Sequence, residues 1–235
     1  GTMKIALVGY GKMGKIIDEI ATQRNHEIVA RLNESPTSGN LNNADVVIEF
    51  SNPEVAFNNI KTCLENNIPV ICGTTGWLDQ KPEIEKIAAE NNTAFLYGSN
   101  FSLGVNLFFA LNEKLANLMK NFPEYNVQLE EIHHTHKKDA PSGTAISLAE
   151  GIIKNDQRFE GWKLDETKDK ELGIFAIRED EVPGTHSVFY KSSVDEIEIK
   201  HTAYSRNGFA LGAVIAAEWI KGKTGNFSMK DVLFS

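Results

Sequence analysis

Short apolar runs separated by amphipathic stretches make up the first hundred residues of the chain. Five runs read as strands: 4–8 (KIALV), 27–32 (EIVARL), 44–50 (ADVVIEF), 69–72 (PVIC) and 94–97 (AFLY). Helical periodicity lies between them; after the first strand, for example, Ile16, Ile17 and Ile20 share one face. Strands that alternate with helices of this length predict βαβ units and a Rossmann-type, doubly wound parallel α/β sheet.

A different pattern begins after about residue 103. Apolar side chains at helical spacing predict a helix over 107–118 that packs through one stripe: Leu107, Phe108, Leu111, Leu115 and Leu118. Residues 125–133 alternate as a strand with one face formed by Val127, Leu129, Glu131 and His133. Three later strand-like runs, at 172–178, 186–191 and 196–203, lack helices between them and predict a mixed α+β domain. A last helix is predicted for 209–221.

Composition narrows the function classes. The chain has 235 residues with 24 Lys+Arg and 32 Asp+Glu, a formal net charge of −8, which argues against nucleic-acid and anionic-membrane partners. Its apolar runs are too short to span a bilayer, and no signal peptide is recognised. The only cysteines, Cys63 and Cys72, do not make a disulfide framework and read as core thiols. We therefore expect a cytoplasmic protein.

A glycine-rich turn, residues 9–14 (GYGKMG), joins the first predicted strand to the first predicted helix. In the dinucleotide-binding pattern, Gly9 would allow a tight turn, Gly11 would let a pyrophosphate approach the backbone, and Gly14 would let the helix pack on its strand. The helix N-terminus would face the phosphates. A glycine-rich turn without a ligand is the alternative.

The choice between NADH and NADPH stays open at the end of the second strand. Asn33 occupies the position of the ribose-binding acidic residue, and Glu34 follows it. Asparagine can bind a ribose hydroxyl without repelling a 2′-phosphate. Lys12 or Arg31 could meet such a phosphate, although a residue of this kind is more often a solvated surface charge.

Two further turns lie at the edge of the sheet where such folds bind ligands. Residues 73–76 (GTTG) follow the fourth strand, and the hydroxyls of Thr74 and Thr75 could contact a nicotinamide ribose. Phe50 and Ser51 end the third strand at the same edge. A plain strand-to-helix turn is the alternative for both.

A histidine-rich loop, residues 133–144 (HHTHKKDAPSGT), carries the most specific chemistry. His134 and His136 could chelate a metal, but nothing nearby completes a zinc set, so we expect no metal. The loop could also be a polar surface. A third interpretation is an acid–base and anion site, because histidine titrates near neutrality and residues 142–144 begin a helix whose amides favour an anion.

Together these motifs resemble the dihydrodipicolinate reductase family of lysine and diaminopimelate synthesis. The resemblance covers nearly the whole chain, through the segments VGYGKMG, EFS, CGTTG, SNFSLGVN, EIHHTHKKDAPSGTA, GTHSVFY and KHTAYSRNGFALGAV. It implies a dinucleotide-binding domain, 1–103 and 207–235, around a substrate-binding and tetramerisation domain, 104–206. It also implies a homotetramer that reduces 4-hydroxy-tetrahydrodipicolinate, a small dicarboxylate, with NADH or NADPH and no metal.

The resemblance also implies roles for individual residues. His133 corresponds to the acid–base residue and Lys137 to its catalytic partner. The substrate contacts correspond to His134, Ser142, Gly143 and Thr144. The implied and inferred cofactor contacts are Gly9, Tyr10, Gly11, Lys12, Met13, Gly14, Asn33, Phe50, Ser51, Gly73, Thr74, Thr75, Gly98, Ser99, Asn100, Phe101 and Arg206.

Two departures from the family pattern stand out. Thr135 replaces an arginine that many members carry between the second and third histidines, and the stretch 33–44 is too short for a helix found in some members. Two other classes remain in view: a dehydrogenase for a different small carbonyl or imine acid, and a non-catalytic nucleotide sensor. The first does not explain the PSGT helix start, and the second does not explain clustered acid–base residues.

Overall fold

The chain divides near residues 103 and 206 in the computed structural model, which describes residues 1–136, 140–179 and 184–234. One unit comprises Gly1–Leu103 and the segment from Arg206 onward, and the other comprises Gly104–Ser205. This division lies one residue from the predicted boundary at 206/207.

The first unit is built on a parallel sheet of six strands: β1 (Lys4–Val8), β2 (Glu27–Leu32), β3 (Val46–Glu49), β4 (Val70–Cys72), β5 (Ala94–Tyr97) and β11 (Gly225–Phe227). The spatial order is β11-β5-β4-β3-β1-β2, and every neighbouring pair is parallel. The predicted doubly wound sheet is confirmed. Strand β11 was not predicted, because its three residues, Gly-Asn-Phe, contain one apolar side chain and carry no strand pattern.

Helices cover both faces of this sheet: α1 (Lys12–Gln23), α2 (Pro53–Glu65), α3 (Lys81–Glu90), α6 (Asn207–Ile220) and the short α7 (Met229–Phe234), with a 3₁₀ turn at Leu78–Gln80. Apolar residues of α2 and α3 pack on one face, and those of α1 and α6 pack on the other. Helix α6 therefore completes the core of the first unit from the far end of the chain.

The second unit contains α4 (Leu103–Met119), β6 (Asn126–His133), α5 (Gly143–Asn155), β7 (Gly161–Leu164), β8 (Glu171–Arg178), β9 (Thr185–Lys191) and β10 (Glu196–Thr202). Its sheet has the order β10-β9-β6-β8-β7. Strand β9 is antiparallel to both neighbours, whereas β6, β8 and β7 are parallel. The predicted mixed sheet is confirmed, and β7 is an additional strand.

The predicted helix α4 is present, but its predicted core stripe was wrong at three of five positions; Phe108 is buried and Leu115 packs against the core. Leu107, Leu111 and Leu118 are each more than half exposed. The buried residues are instead Val105, Phe108, Asn112, Ala116 and Met119. Asn112 belongs to this face because its side-chain nitrogen donates to the backbone oxygen of Leu148 at 3.0 Å. Because Asn112 is polar, it interrupts the apolar spacing of the buried face, and the exposed leucines form the more regular apolar pattern in the sequence.

Both cysteines are free thiols in the core of the first unit. Burial raises the pKa of Cys63 to about 12, so this thiol is unreactive at neutral pH. The interpretation of Cys63 and Cys72 as core thiols is confirmed.

Over the described residues, no helix combines the length and apolar character that a membrane crossing demands.

Candidate active site

The three glycines in the turn between β1 and α1 differ in what a side chain at each position would meet. Gly9 has φ +97°, and a Cβ on it would lie 1.8 Å from the backbone oxygen of Phe50. A Cβ on Gly14 would lie 2.6 Å from the backbone oxygen of Gly9. A Cβ on Gly11, in contrast, would meet none of the described atoms within 4 Å. The space at Gly11 fits the close approach of a phosphate to the backbone.

An open cavity of about 540 Å³ lies beside this turn, at the carboxyl ends of β1, β2 and β3. Six of the predicted cofactor residues line it: Gly9, Tyr10, Gly11, Asn33, Phe50 and Ser51. The side-chain oxygen of Asn33 accepts the backbone N–H of Tyr10 at 3.0 Å, which fixes Asn33 at the rim. Glu34 lines the same cavity. This is the edge at which doubly wound sheets bind nucleotides.

The two basic residues considered for a 2′-phosphate have different surroundings. Nε of Arg31 lies 2.6 Å from Oδ2 of Asp18, which also accepts the hydroxyl of Tyr10 at 2.6 Å. Burial would raise the pKa of Asp18, but the hydrogen bonds from Arg31 and Tyr10 lower it, so the carboxylate stays ionised. Arg31 is thereby engaged with Asp18. Lys12 is exposed at the first residue of α1.

Glu49, at the end of β3, is a fully buried carboxylate to which the sequence patterns gave no role. The Thr74 hydroxyl donates to its Oε1 at 2.6 Å, and the Ser51 hydroxyl donates to its Oε2. Thr74 also accepts the backbone N–H of Ser51 at 2.8 Å. Burial raises the pKa of Glu49, and these hydrogen bonds oppose the shift. The Thr74 hydroxyl therefore joins two turns at the sheet edge.

The other predicted cofactor residues are positioned differently. A Cβ on Gly73 would lie 2.1 Å from the Phe50 ring, and one on Gly98 would lie 2.9 Å from the Phe101 ring, so both glycines make room for aromatic packing. The described lining of the cavity does not include the following predicted residues: Lys12, Met13, Gly14, Gly73, Thr74, Thr75, Gly98, Ser99, Asn100, Phe101 and Arg206. Among them, Phe101 is a core residue, whereas Thr75, Ser99 and Arg206 are exposed.

In the second unit, the predicted alternation along β6 is confirmed. Its buried residues are Val127, Leu129, Glu131 and His133. The first two belong to the hydrophobic core, and the last two extend the same face with polar groups at the end of the strand. A strand that points every second residue inward thus brings a carboxylate and an imidazole side by side.

Neighbouring strands add two more polar side chains to this face. Strand β9 places His186 directly opposite Glu131, and β8 places Arg178 opposite His133. Nη1 of Arg178 lies 3.7 Å from Oε1 of Glu131. The sequence analysis assigned no role to His186, Arg178 or Glu131. Only the alternation that grouped Glu131 with His133 hinted at this cluster.

Glu131 lies at the centre of the cluster. Its Oε2 lies 2.5 Å from Oγ of Ser142, 3.3 Å from Nε2 of His186 and 3.5 Å from Nε2 of His133. The two histidine Nε2 atoms are 3.2 Å apart. Burial alone would raise the pKa of Glu131, but the interactions with His133, His186 and Ser142 outweigh it and lower the pKa well below its usual range. Glu131 is therefore ionised at neutral pH.

Helix α5 begins beside this carboxylate, with Ser142 as its N-cap. The Ser142 hydroxyl accepts the backbone N–H of Ala145 at 3.1 Å, and the backbone N–H of Ser142 donates to Glu131 at 3.1 Å. Ser142 is thus occupied by the protein itself, which leaves Gly143 and Thr144 as the predicted anion cradle. Gly143 is exposed, and a Cβ on it would meet none of the described atoms within 4 Å. A helix start of this kind favours a carboxylate.

The rest of the histidine loop is only partly described. His134 is half-buried, and His136 is exposed with its ring centroid 6.2 Å from that of His134. Thr135, the residue that departs from the family pattern, is exposed. Lys137 lies outside the described residues, so its role as catalytic partner stays a prediction.

Comparison with known proteins places this geometry in context. Residues 3–101 match the family model described as dihydrodipicolinate reductase, N-terminus, and residues 104–233 match dihydrodipicolinate reductase, C-terminus. A 4-hydroxy-tetrahydrodipicolinate reductase from Christiangramia forsetii is 54% identical over 233 residues, which is 98% of this chain and 98% of that protein.

Solved structures agree on the fold. A dipicolinate-bound dihydrodipicolinate reductase from Paenisporosarcina sp. TG-14 superposes with a TM-score of 0.79 at 21% identity and covers all of both chains. A probable dehydrogenase from Thermotoga maritima reaches a TM-score of 0.59 at 11% identity over 97% of this chain and 92% of its own. At these identities the structures support the fold alone.

Proposed function

Because the chain belongs to the dihydrodipicolinate reductase family, we infer that its first unit binds the cofactor and its second unit binds the substrate of one reduction. The enzyme reduces 4-hydroxy-tetrahydrodipicolinate, by way of dihydrodipicolinate, to tetrahydrodipicolinate in lysine and diaminopimelate synthesis, and a reduced nicotinamide nucleotide is the electron donor. The observation that carries our assignment of the site is the position of His133 beside an ionised Glu131 and the N-terminus of α5.

The first unit holds the cofactor. The space at Gly11 and the cavity lined by Asn33, Phe50 and Ser51 support this assignment, because they offer a phosphate approach and a ribose site at the same sheet edge. When bound, the cofactor supplies the hydride that adds to the substrate ring. Glu49 and Thr74 keep the Ser51 turn in place.

In the second unit, His133 is the proton-handling residue. Its Nε2 lies 3.2 Å from Nε2 of His186 and 3.5 Å from Oε2 of Glu131, and positioned acid–base catalysis of this kind supplies about 10²–10⁴-fold in rate. Lys137 would assist it, by family resemblance. One substrate carboxylate would bind at Gly143 and Thr144, where the helix dipole and amides favour negative charge, and His134 would contact the substrate nearby.

We propose that NADH is the preferred donor. Glu34 lines the cavity next to Asn33, and a carboxylate there accepts a bond from a ribose 2′-hydroxyl but repels a 2′-phosphate. Arg31, the nearby guanidinium, is engaged by Asp18. The charge at the ribose position is therefore negative.

A homotetramer formed through the second unit's sheet remains a proposal from the family resemblance. The sheet face turned away from α5 supports it, because four partly exposed apolar residues share that face: Ile132, Phe175, Ile177 and Phe189. Sedimentation velocity of the wild type and of Ile177→Lys tests the proposal; a wild-type monomer would contradict it.

The two free thiols fit the proposed cytoplasmic location.

The activity is tested with substrate generated in place by its synthase from pyruvate and aspartate semialdehyde. Loss of nicotinamide absorbance is followed separately with NADH and NADPH. Synthase-dependent oxidation is expected with both, faster with NADH. Cofactor binding without consumption would favour a nucleotide sensor, and consumption with a different carbonyl or imine acid alone would favour another dehydrogenase.

A further inference from the structure

Three ligand atoms from two strands form a nearly regular triangle in the second unit. They are Oε2 of Glu131, Nε2 of His133 and Nε2 of His186, and the edges measure 3.5, 3.3 and 3.2 Å. Among the described residues, this is the one group of three His, Cys, Asp or Glu side chains that converges closely enough to share a metal ion. It differs from the His134 and His136 pair considered from the sequence.

The edge lengths fit a shared cation better than direct ion pairing. A charge-assisted N–H···O bond is about 2.7–2.9 Å long, whereas both imidazoles lie 3.3 Å or more from the carboxylate oxygen. Donor atoms that share a zinc ion at about 2.0–2.1 Å in tetrahedral geometry lie about 3.3–3.4 Å apart. The three groups therefore surround a common point rather than pairing off.

The surroundings also resemble those of a built metal site. The carboxylate of Glu131 is fully buried, and the side chains of His133 and His186 are 10% and 7% exposed, so the three ligand groups are largely shielded from solvent. Ser142 donates its hydroxyl to Oε2 and its backbone N–H to Oε1, and Arg178 lies 3.7 Å from Oε1. Outer hydrogen bonds of this kind orient a ligating carboxylate. The Ser142 hydroxyl also lies 3.2 Å from Nε2 of His186, so it would turn away when an ion binds.

We propose that Glu131, His133 and His186 form a binding site for a divalent transition-metal ion of the zinc class, with a water as fourth ligand. The ion is an inhibitor rather than a cofactor, because it occupies the Nε2 atom of the proton-handling His133. The inhibition rests on the proposed function; the binding does not.

Binding is measured first, with Co²⁺ as a spectroscopic probe on the full-length protein. Titration is expected to give visible ligand-field bands that saturate at one Co²⁺ per chain and that Zn²⁺ displaces. His186→Asn and Glu131→Gln should abolish the bands. Two control variants should keep them: Glu130→Gln, the neighbour on the opposite face of β6, and His136→Asn in the loop. Because loss of Glu131 could prevent folding, His186→Asn is the deciding variant, provided its circular dichroism matches the wild type.

Absence of a stoichiometric site, or bands that survive His186→Asn, would overturn the proposal. Bands lost in His136→Asn and kept in His186→Asn would assign the metal to the loop instead. Inhibition is measured separately, with the synthase in excess: Zn²⁺ should lower turnover about tenfold or more, and EDTA should restore it. Binding without inhibition would overturn only the inhibitory role, and an inactive enzyme that still binds Co²⁺ would overturn only the proposed function.

Discussion

The hydroxyl of Thr74 donates a 2.6 Å hydrogen bond to the buried carboxylate of Glu49. The same hydroxyl accepts the backbone N–H of Ser51, just after β3, at 2.8 Å. One side chain thus joins the turns at the ends of β3 and β4, and Ser51 in the first of these turns lines the nucleotide cavity. Because the side chains of Glu49 and Thr74 are buried, these hydrogen bonds hold the Ser51 turn, and with it this part of the cavity wall, in place.

Thr74→Val tests this link. The substitution keeps the volume but removes one donor to the buried carboxylate of Glu49, at a cost of about 1–3 kcal/mol, and removes the acceptor of the Ser51 N–H. We expect a lower free energy of unfolding and weaker NADH binding. Thr167→Val, at an exposed threonine of the second unit, is the matched control and should change neither. Equal behaviour of the two variants in urea denaturation and NADH titration would remove the structural role of Thr74.

Alanine substitutions at the first two glycines of the turn should impair different properties of the protein. Gly9→Ala places a methyl against the backbone of Phe50 and is expected to prevent folding of the first unit. Gly11→Ala meets no described atom, so its melting temperature should stay close to that of the wild type. Its methyl would occupy the phosphate approach, and NADH affinity should fall at least about tenfold, or 1.4 kcal/mol. Unchanged NADH affinity in Gly11→Ala, measured by calorimetry, would contradict nucleotide binding at this turn.

His133→Gln should lower turnover by at least about tenfold, because the amide cannot transfer the proton in the reduction. NADH affinity should be little changed, since the residues supporting the nucleotide site belong to the first unit. His136→Gln, at the exposed histidine of the same loop, serves as the control and should retain activity. Steady-state kinetics in the synthase-coupled assay measures both variants, and full turnover in His133→Gln would exclude it from catalysis.

The sequence predicted the parts of the site that lie close together along the chain. Alternation along β6 grouped Glu131 with His133, and the glycine spacing located the nucleotide turn, because both depend on local periodicity. His186 joins the cluster only through the antiparallel register of β6 and β9, across 53 residues. Strand register is a long-range property that local periodicity does not carry, so His186 and Arg178 received no role.

The prediction also failed where a polar residue belongs to the core. Asn112 is buried because it donates to a backbone oxygen of α5, yet in sequence it interrupts the apolar stripe of α4. Similarly, a turn sequence does not reveal that the Thr74 hydroxyl donates to a buried carboxylate 25 residues away; the cofactor contact of Thr74 stays a prediction. Hydrogen bonds between distant segments decide both cases.

Glu34→Gln tests the cofactor preference. Loss of the carboxylate removes the repulsion of a 2′-phosphate while the amide oxygen still accepts a ribose hydroxyl. We expect the ratio of kcat/KM for NADH over NADPH to fall about tenfold, mainly through a lower KM for NADPH. Glu27→Gln, an exposed residue at the opposite end of β2, changes the net charge equally and should leave the ratio unaltered. A fall of the same size in Glu27→Gln would indicate a general electrostatic effect instead.

Glu218 on α6 should make the stability of the first unit depend on pH. Its carboxylate lies 2.8 Å from Nη2 of Arg24 and 2.7 Å from Nε2 of His26, whose Nδ1 accepts the backbone N–H of Met3 at 3.1 Å. Hydrogen bonding to Arg24, assisted by His26, outweighs burial and lowers the pKa of Glu218 from 4.5 to about 2. A carboxylate whose pKa is lower in the folded than in the unfolded state stabilises the fold above the unfolded pKa.

The stabilisation should therefore be complete above about pH 4.5 and should disappear as the pH falls toward 2. Glu218→Gln should unfold more easily than the wild type at pH 7, by about 1 kcal/mol because the pair is partly exposed. This difference should shrink at pH 3. Glu19→Gln, an exposed residue of α1, controls for net charge. Urea denaturation at several pH values measures the effect, and a difference that stays constant from pH 7 to pH 3 would show that the ion pair is not its source.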